Sequence, residues 1–263
     1  MSMDNSRRNF LKTSAIAVTA GVTSADASSS KKHARDKSDL RYTGDKTKHY
    51  SMVIDLRKCV GCQACSSACK VENNAPKHQY RTFVSEFEIG TFPDVRKGFL
   101  PQLCNHCEDP FCTPACPVDA TFKRDDGIVV VDNTTCISCG RCVDACPYDR
   151  RFMNSETKVA DKCTLCAHRV DEGLLPACVE TCVGGARVFG DINDKNSNIS
   201  KLLASFSHKV LRPYMGSKPQ IFFISLDNRL EELYESSAGI NTVLKNEFKK
   251  LNKEWSKELK EES

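Results

Sequence analysis

The spacing of its sixteen cysteines constrains this 263-residue chain more than any other feature. The cysteines form four quartets, and none is left over for another role. In chain order, the quartets are Cys59, Cys62, Cys65 and Cys69; Cys104, Cys107, Cys112 and Cys116; Cys136, Cys139, Cys142 and Cys146; and Cys163, Cys166, Cys178 and Cys182. In the C-x2-C-x2-C-x3-C spacing of quartets one and three, three thiolates bind one iron–sulfur cluster and the fourth reaches a neighbouring cluster. The pattern therefore predicts four [4Fe-4S] clusters in ferredoxin-type pairs.

The fourth cysteine of each quartet predicts which quartets lie together in space. In two-cluster ferredoxins this cysteine binds the other cluster and is usually followed by proline. Cys116 and Cys146 are each followed by proline, so we expect quartets two and three to form one pair, and quartets one and four the other. Val183 stands where a proline is usual after Cys182. The predicted ligand sets are set A, Cys59, Cys62, Cys65 and Cys182; set B, Cys69, Cys163, Cys166 and Cys178; set C, Cys104, Cys107, Cys112 and Cys146; and set D, Cys116, Cys136, Cys139 and Cys142.

Two other uses of the cysteines compete with iron–sulfur clusters. A disulfide framework suits an exported chain with an even cysteine count, but such frameworks are typical of small domains that lack a core. Four all-cysteine zinc sites would also use every thiolate. Zinc sites usually combine two separated CxxC pairs, whereas here three ligands recur within short runs such as Cys59 to Cys65, which favours iron–sulfur clusters. A zinc-stabilised scaffold protein is the alternative, and the colour of the protein would distinguish the two.

The charge pattern gives little support for nucleic-acid binding. The net charge is +4, and the lysines are dispersed among acidic residues and concentrate only in the tails. Several basic residues flank predicted ligands, where they either favour the reduced cluster or serve surface solubility. They are Arg57, Lys58, Lys70, Arg141 and Lys162. Because cluster binding supplies much of the folding free energy, we expect the apoprotein to be poorly folded.

Two histidines lie near predicted ligands, His106 beside Cys107 and His168 beyond Cys166. No cysteine is missing for a histidine to replace, so a Rieske arrangement is excluded, and both are expected around the clusters or on the surface. The chain contains no GxGxxG motif, phosphate loop, serine nucleophile elbow or haem attachment motif. We therefore predict no catalytic residue and no organic substrate.

The N-terminus matches the twin-arginine export pattern. Ser6-Arg7-Arg8-Asn9-Phe10-Leu11-Lys12 precedes a short, weakly apolar stretch, Ala15–Val22, which is too short to span a bilayer. Ala25-Asp26-Ala27 supplies a small-residue cleavage site, so the mature chain is expected to begin near Ser28. Because this route carries proteins already folded around their cofactors, we expect a periplasmic protein at the outer face of the inner membrane.

The organisation of the chain predicts an α+β fold, a duplicated bacterial-ferredoxin-like domain with short β-hairpins and helices around four clusters and a C-terminal helical extension. Repeated units of cysteine run, hairpin and cysteine run indicate the duplication. The predicted strands are Ser51–Asp55; a hairpin of Ala120–Arg124 and Ile128–Asp132; a second hairpin of Arg151–Met153 and Lys158–Ala160; and Ala186–Phe189. The predicted domains are a signal peptide at 1–27, a flexible linker at 28–49, the cluster domain at 50–192 with an insertion at 72–99, and the extension at 193–263.

The extension beyond the last cysteine carries three further elements. Ile199–Phe206 is a candidate helix and Ile221–Ile224 an apolar strand. A final amphipathic helix is indicated by apolar residues at helical spacing in a lysine- and glutamate-rich frame, and it packs either on its own domain or on a partner. These residues are Leu244, Phe248, Leu251, Trp255 and Leu259.

With these quartets and this signal, the chain resembles the four-cluster ferredoxin-type subunits of membrane-bound molybdopterin oxidoreductases. The likeness covers about Tyr50 to Asp191. The stretches Ile54–Cys65, IDLRKCVGCQAC, and Asp161–Val170, DKCTLCAHRV, are most similar to the tetrathionate and polysulfide reductase branch.

The resemblance implies a non-catalytic relay between a molybdopterin catalytic subunit and an integral membrane subunit that exchanges electrons with quinone. It also implies that the set A cluster faces the catalytic subunit and the set C cluster faces the membrane subunit. Nitrite reduction, arsenate reduction or a periplasmic hydrogenase are alternative terminal reactions for the same relay.

Overall fold

The computed structural model describes residues 40–237, which include all sixteen cysteines. The fold is α+β and is built from short elements. The strands are β1 Tyr50–Asp55, β2 Phe83–Thr91, β3 Asp94–Gln102, β4 Thr121–Lys123, β5 Val129–Val131, β6 Arg151–Met153, β7 Ala160–Lys162, β8 Arg187–Asp191, β9 His208–Lys209 and β10 Ile221–Ile224. The α-helices are α1 Leu40–Thr43, α2 Ala64–Glu72, α3 Arg141–Asp144, α4 Ala167–Val170, α5 Ala177–Glu180 and α6 Asn198–Ser205, with a 3-10 turn at Pro213–Met215 and helical backbone at 228–237. The predicted signal peptide and the predicted amphipathic helix from Leu244 to Leu259 lie outside the described residues.

A four-stranded sheet in the order β8-β1-β10-β9 joins distant parts of the chain. Strand β1 pairs antiparallel with β8 and parallel with β10, with Ile54 opposite Phe223. Met52 and Ile54 face the main core, whereas Val53 packs with Ile199 of α6 on the other face. Both faces are covered, so this strand is a continuous apolar run rather than an alternating one. Because β1 leads into quartet one and β8 follows quartet four, the sheet brings these quartets together.

Two short hairpins join the remaining quartets. Strands β4 and β5 pair as predicted, around a turn in which Gly127 has a φ of 86°. In the second hairpin β6 is as predicted, but β7 begins two residues later than expected. The Asn154 side chain accepts hydrogen bonds from the backbone N–H groups of Glu156 and Thr157, and its own N–H donates to the carbonyl oxygen of Val159, so the loop is longer than the sequence suggested.

The predicted insertion at 72–99 contains most of a long antiparallel hairpin, β2–β3. Val84 and Leu100 at its base are buried in the main core, whereas Phe92 at its tip is 93% exposed. Thr82, just before β2, is also buried and accepts a hydrogen bond from Arg187. The insertion therefore belongs to the cluster domain at its base and extends away from it at its tip.

Residues 40–49, at the end of the predicted linker, pack against the first hairpin. The N–H of Asp125 donates to the carbonyl oxygen of Thr43, and Gly44 is buried beside Asp126. A side chain at Gly44 would overlap the Asp126 carboxylate. Residues 40–49 are therefore packed against the cluster domain, whereas the sequence predicted that they belong to a flexible linker. Within residues 40–237, no helix is both long enough and apolar enough to cross a membrane.

Candidate metal centres

Two of the predicted ligand sets surround pockets at the protein surface. All four cysteines of set A line one pocket, and all four of set D line another. In each pocket, three cysteines come from one quartet and the fourth from the paired quartet. The structure therefore brings together the residues that the crossed pairing predicts, including Cys182, whose assignment lacked the usual proline.

Sets B and C lie deeper in the protein. Burial raises the pKa of Cys69 to about 12, and the nearby Cys178 and Cys166 thiols raise it further. Burial also raises the pKa of Cys107 to about 12, with the neighbouring Cys104 contributing in the same direction. Thiolates in these two sets are therefore costly unless positive charge compensates them.

The cysteines of sets A and D stand around a space rather than converging on a point. All sixteen are free of disulfides. Within residues 40–237, no three His, Cys, Asp or Glu side chains are close enough together to hold a single metal ion. In a four-iron cluster each cysteine binds a different iron atom, so its sulfurs stand farther apart than those around one zinc ion.

The backbone after the fourth cysteine repeats in three of the quartets. The third residue beyond it has a left-handed conformation, and a strand begins two residues later. The left-handed residues are Asp119, Asp149 and Gly185, and the strands are β4, β6 and β8. In two of these turns a backbone N–H donates to the cysteine sulfur, from Arg150 to Cys146 at 3.4 Å and from Ala186 to Cys182 at 3.2 Å. Hydrogen bonds of this kind stabilise a thiolate.

Three buried cations lie among the cysteines. Arg151 is 4% exposed and donates from Nη2 to Cys112 Sγ at 3.0 Å, and Arg187 is 3% exposed and donates from Nη1 to Cys178 Sγ at 3.8 Å. Neither arginine forms an ion pair with a carboxylate within residues 40–237. Lys162 is 1% exposed and donates to the carbonyl oxygens of Cys163 and Val129.

An uncompensated charge in a protein interior is costly, so these cations require negative charge nearby. A cluster with four thiolate ligands is anionic and supplies it, whereas disulfides would not. The donor groups therefore fit [4Fe-4S] clusters. The burial of Lys162 also excludes surface solubility as the reason for its charge.

Contacts between the sets place them in the order A, B, C, D. The Cys65 charge raises the pKa of Cys178, which links set A to set B, after the larger effect of burial. Cys104 likewise raises the pKa of Cys163, linking set C to set B. Cys112 of set C packs with Cys142 of set D, which links set C to set D. Sets A and D are therefore the two ends of the series.

Exposure of the cysteine residues agrees with this order. Cys62 in set A and Cys139 in set D are the two exposed cysteines among the sixteen, whereas every cysteine of set B is buried. In set C, which the resemblance implied to face the membrane subunit, Cys104 and Cys112 are buried and Cys107 and Cys146 are partly buried. Set D therefore has the more exposed cysteines at that end of the series.

The two histidines have different surroundings. His106 is fully buried, and its Nδ1 accepts a hydrogen bond from the Val129 N–H at 3.1 Å. Burial, with the charges of Lys162 and Arg151, holds the pKa of His106 well below its usual value, so this ring is neutral. His168 is exposed and lies 2.8 Å from Glu72.

Sequence reasoning missed two arginines that contact cysteines, Arg151 and Arg187, and a serine, Ser217, near Cys107. The Ser217 hydroxyl lies 2.7 Å from the Tyr148 hydroxyl, and Ser217 lowers the pKa of Cys107 against the larger effect of burial. No sequence signal marks Ser217. The two arginines share one, because each stands five residues after the fourth cysteine of its quartet.

Comparison with known proteins agrees with this geometry. Residues 95–192 match the 4Fe-4S dicluster domain. The chain is 47% identical over 232 residues to a subunit of the tetrathionate reductase of Salmonella typhimurium, covering 87% of this chain and 91% of that protein. The chain belongs to the iron–sulfur subunits of the molybdopterin oxidoreductases. Like the other members of this family, it is an electron-transfer subunit of a reductase complex and not the catalytic subunit.

Other relatives in this family include subunits of a second tetrathionate reductase and of an arsenate reductase. The corresponding tetrathionate reductase subunit of Archaeoglobus fulgidus is 43% identical over 177 residues, covering 67% of this chain and 82% of that protein. The arsenate respiratory reductase iron–sulfur subunit of a Shewanella species is 36% identical over 221 residues, covering 66% of this chain and 94% of that protein. The family therefore shares the relay, whereas the terminal acceptor differs among its members.

Proposed function

We propose that this subunit relays electrons through four [4Fe-4S] clusters, bound by sets A, B, C and D, between a quinone-reactive membrane subunit and a molybdopterin catalytic subunit. The series of four cysteine sets with one exposed cysteine at each end carries this proposal. Electron transfer between proteins requires a redox centre near each docking surface, and centres between them to divide the distance. The clusters supply the one-electron chemistry, and the chain holds them in line and tunes each reduction potential.

Exposed apolar side chains beside both ends of the series support the two docking surfaces. Val60 and Val183 flank set A and are 62% and 79% exposed, and Ile137 flanks set D and is 59% exposed. Exposed apolar groups of this kind are typical of interaction sites. By the family resemblance set A faces the catalytic subunit, which leaves set D for the membrane subunit.

Tetrathionate is the terminal acceptor that we propose for the complex. The 47% identity to the Salmonella typhimurium tetrathionate reductase subunit, over 91% of that protein, supports it. The second candidate is another acceptor, such as arsenate, because relatives of that kind are also similar. Identification of the large subunit that co-purifies with this chain would decide between them.

We also propose export to the periplasm by the twin-arginine route. The supporting observation is the seven-residue match from Ser6 to Lys12. A chain that must leave the cytoplasm with oxygen-sensitive clusters in place requires a route for folded proteins. The complex would then lie at the outer face of the inner membrane, with set D toward the membrane subunit.

Membranes from a strain that lacks this chain provide the test of the relay. We expect quinol-linked tetrathionate reduction to be lost, while reduction driven by a dye that feeds the catalytic subunit directly is retained. Reintroduction of the full chain should restore quinol-linked turnover. Undiminished quinol-linked turnover without this chain would contradict the proposal.

A further inference from the structure

Each of the two buried arginines lies beside one ligand set and acts electrostatically on a second. Arg151 donates to Cys112 Sγ of set C at 3.0 Å; Cys112 packs with Cys142 of set D, whose pKa is raised by burial and lowered by Arg151. Arg187 donates to Cys178 Sγ of set B at 3.8 Å, and its pKa, lowered by burial, is raised by Cys178 and by Cys65 of set A. These four sulfurs are the third cysteines of the four quartets. Each guanidinium therefore lies between the two sets of one ferredoxin-type pair.

The same arrangement occurs twice, each time five residues after the fourth cysteine of a quartet. Arg151 and Arg187 are the first residues of β6 and β8. The second guanidinium nitrogen of each donates to a threonine hydroxyl, from Arg151 to Thr121 at 2.8 Å and from Arg187 to Thr82 at 2.9 Å. Thr121 belongs to the first short hairpin and Thr82 to the base of the long one. Each threonine hydroxyl therefore holds its own guanidinium in one orientation, with one nitrogen directed at a cysteine sulfur and the other at the threonine oxygen.

Another buried arginine shows how this protein compensates a charge away from the clusters. Arg124 is 2% exposed and pairs with Asp126 and Asp171. Arg151 and Arg187 have no such carboxylates among residues 40–237, and their guanidinium groups face sulfur instead. A guanidinium keeps its proton at every physiological pH, so it is a fixed positive charge.

We propose that Arg151 and Arg187 are positioning residues that bridge the two clusters of each pair and raise the reduction potentials of both. This inference rests on the four-cluster relay proposed above. Reduction adds one electron to a cluster, and a fixed cation that hydrogen-bonds its thiolates stabilises the reduced form more than the oxidised form. The arginine charge favours the reduced form most strongly in a buried site, because little water is present there to screen the charge. The arginines therefore keep both members of a pair reducible by the same donor.

The test is a redox titration of the loaded, full-length chain, followed by paramagnetic resonance, for Arg151→Gln and Arg187→Gln. For Arg151→Gln we expect about a tenfold lower ratio of reduced to oxidised cluster at fixed potential in sets C and D, which is about 59 mV for one electron. Sets A and B should be unchanged. Arg187→Gln should give the reverse. Arg57→Gln is the control, because it removes a positive charge near set A that is paired with Asp55 and is not bound to sulfur.

Potentials that do not change in either glutamine variant would overturn the proposal, and so would an equal shift of all four clusters. If Arg151→Gln fails to load its clusters, the potentials of Arg151→Lys test the bridging role instead. An ammonium keeps the charge but cannot reach both sulfurs in the fork geometry of a guanidinium, so we expect one of the two potentials to fall. Wild-type values for both clusters in the lysine variant would overturn the bridging role. A wild-type chain with fewer than about sixteen iron atoms would instead contradict the four-cluster relay itself.

Discussion

Replacement of Cys146 by alanine tests the crossed ligand sets directly. Cys146 belongs to quartet three by sequence, but the structure places it with set C. Burial raises its pKa, and the Cys104 charge is the largest contribution from another sulfur. The first three cysteines of its own quartet lie elsewhere, since Cys142 is close to Cys116 and Cys136 in set D. We therefore expect Cys146→Ala to remove a ligand from the set C cluster and none from the set D cluster.

The size of the effect follows from the proposed number of clusters. With four cubanes per chain, loss of one would reduce the iron content from about sixteen to about twelve atoms, with an equal loss of acid-labile sulfide. Anaerobic iron and sulfide analysis measures this quarter, and paramagnetic resonance of the reduced protein identifies the missing cluster. Because cluster binding is coupled to folding, thermal unfolding should also begin at lower temperature than in the wild type.

The matched control is Cys116→Ala, in which the fourth cysteine of quartet two is removed. This variant should lose the set D cluster and keep the set C cluster, since Cys116 lies with Cys136 and Cys139 around the same pocket. The crossed pairing would be refuted if Cys146→Ala lost the paramagnetic resonance signal of the set D cluster and Cys116→Ala lost that of the set C cluster. A zinc content in place of iron would refute the cofactor.

Three further predictions concern a turn, a buried ion pair and export. Gly61→Ala should impair loading of set A, because a methyl group there would overlap the Phe99 ring in addition to straining a backbone with a φ of 70°. Gly140→Ala, which has the same backbone strain at a φ of 73° but open space around it, should impair loading of set D less, and iron analysis compares the two. Arg124→Met should lower the free energy of unfolding by about 3–5 kcal/mol, because it leaves Asp126 buried and unpaired, while Arg229→Met, at an exposed pair, should change it little in the same denaturation experiment. Replacement of both Arg7 and Arg8 by lysine should retain the protein in the cytoplasm, and normal periplasmic recovery on cell fractionation would contradict the proposed route.

The sequence alone predicted the elements whose cause is local. Cysteine spacing predicted which sulfurs meet, because a run of three ligands within a few residues can wrap one cluster and leaves the fourth for the next. The turn at Asp125-Asp126-Gly127 predicted the first hairpin, because Asp-Gly between two apolar runs favours the positive φ angles of a tight hairpin turn. The strand at Ile221–Ile224 and the helix near Ile199 were also predicted, from apolar pattern.

Tertiary structure alone decided the order of the sets and the surroundings of the clusters. The sequence is equally compatible with a surface position for Lys162, but β7 carries this lysine into the interior. Arg151 meets a sulfur 39 residues away and Arg187 a threonine 105 residues away. Spacing fixes the ligands of a cluster because covalent chain length limits where they can go. Spacing cannot fix which cysteine set reaches the surface or which cation lies between two sets. Those neighbours are brought together only when β1 pairs with β8 and the hairpins pack against the core.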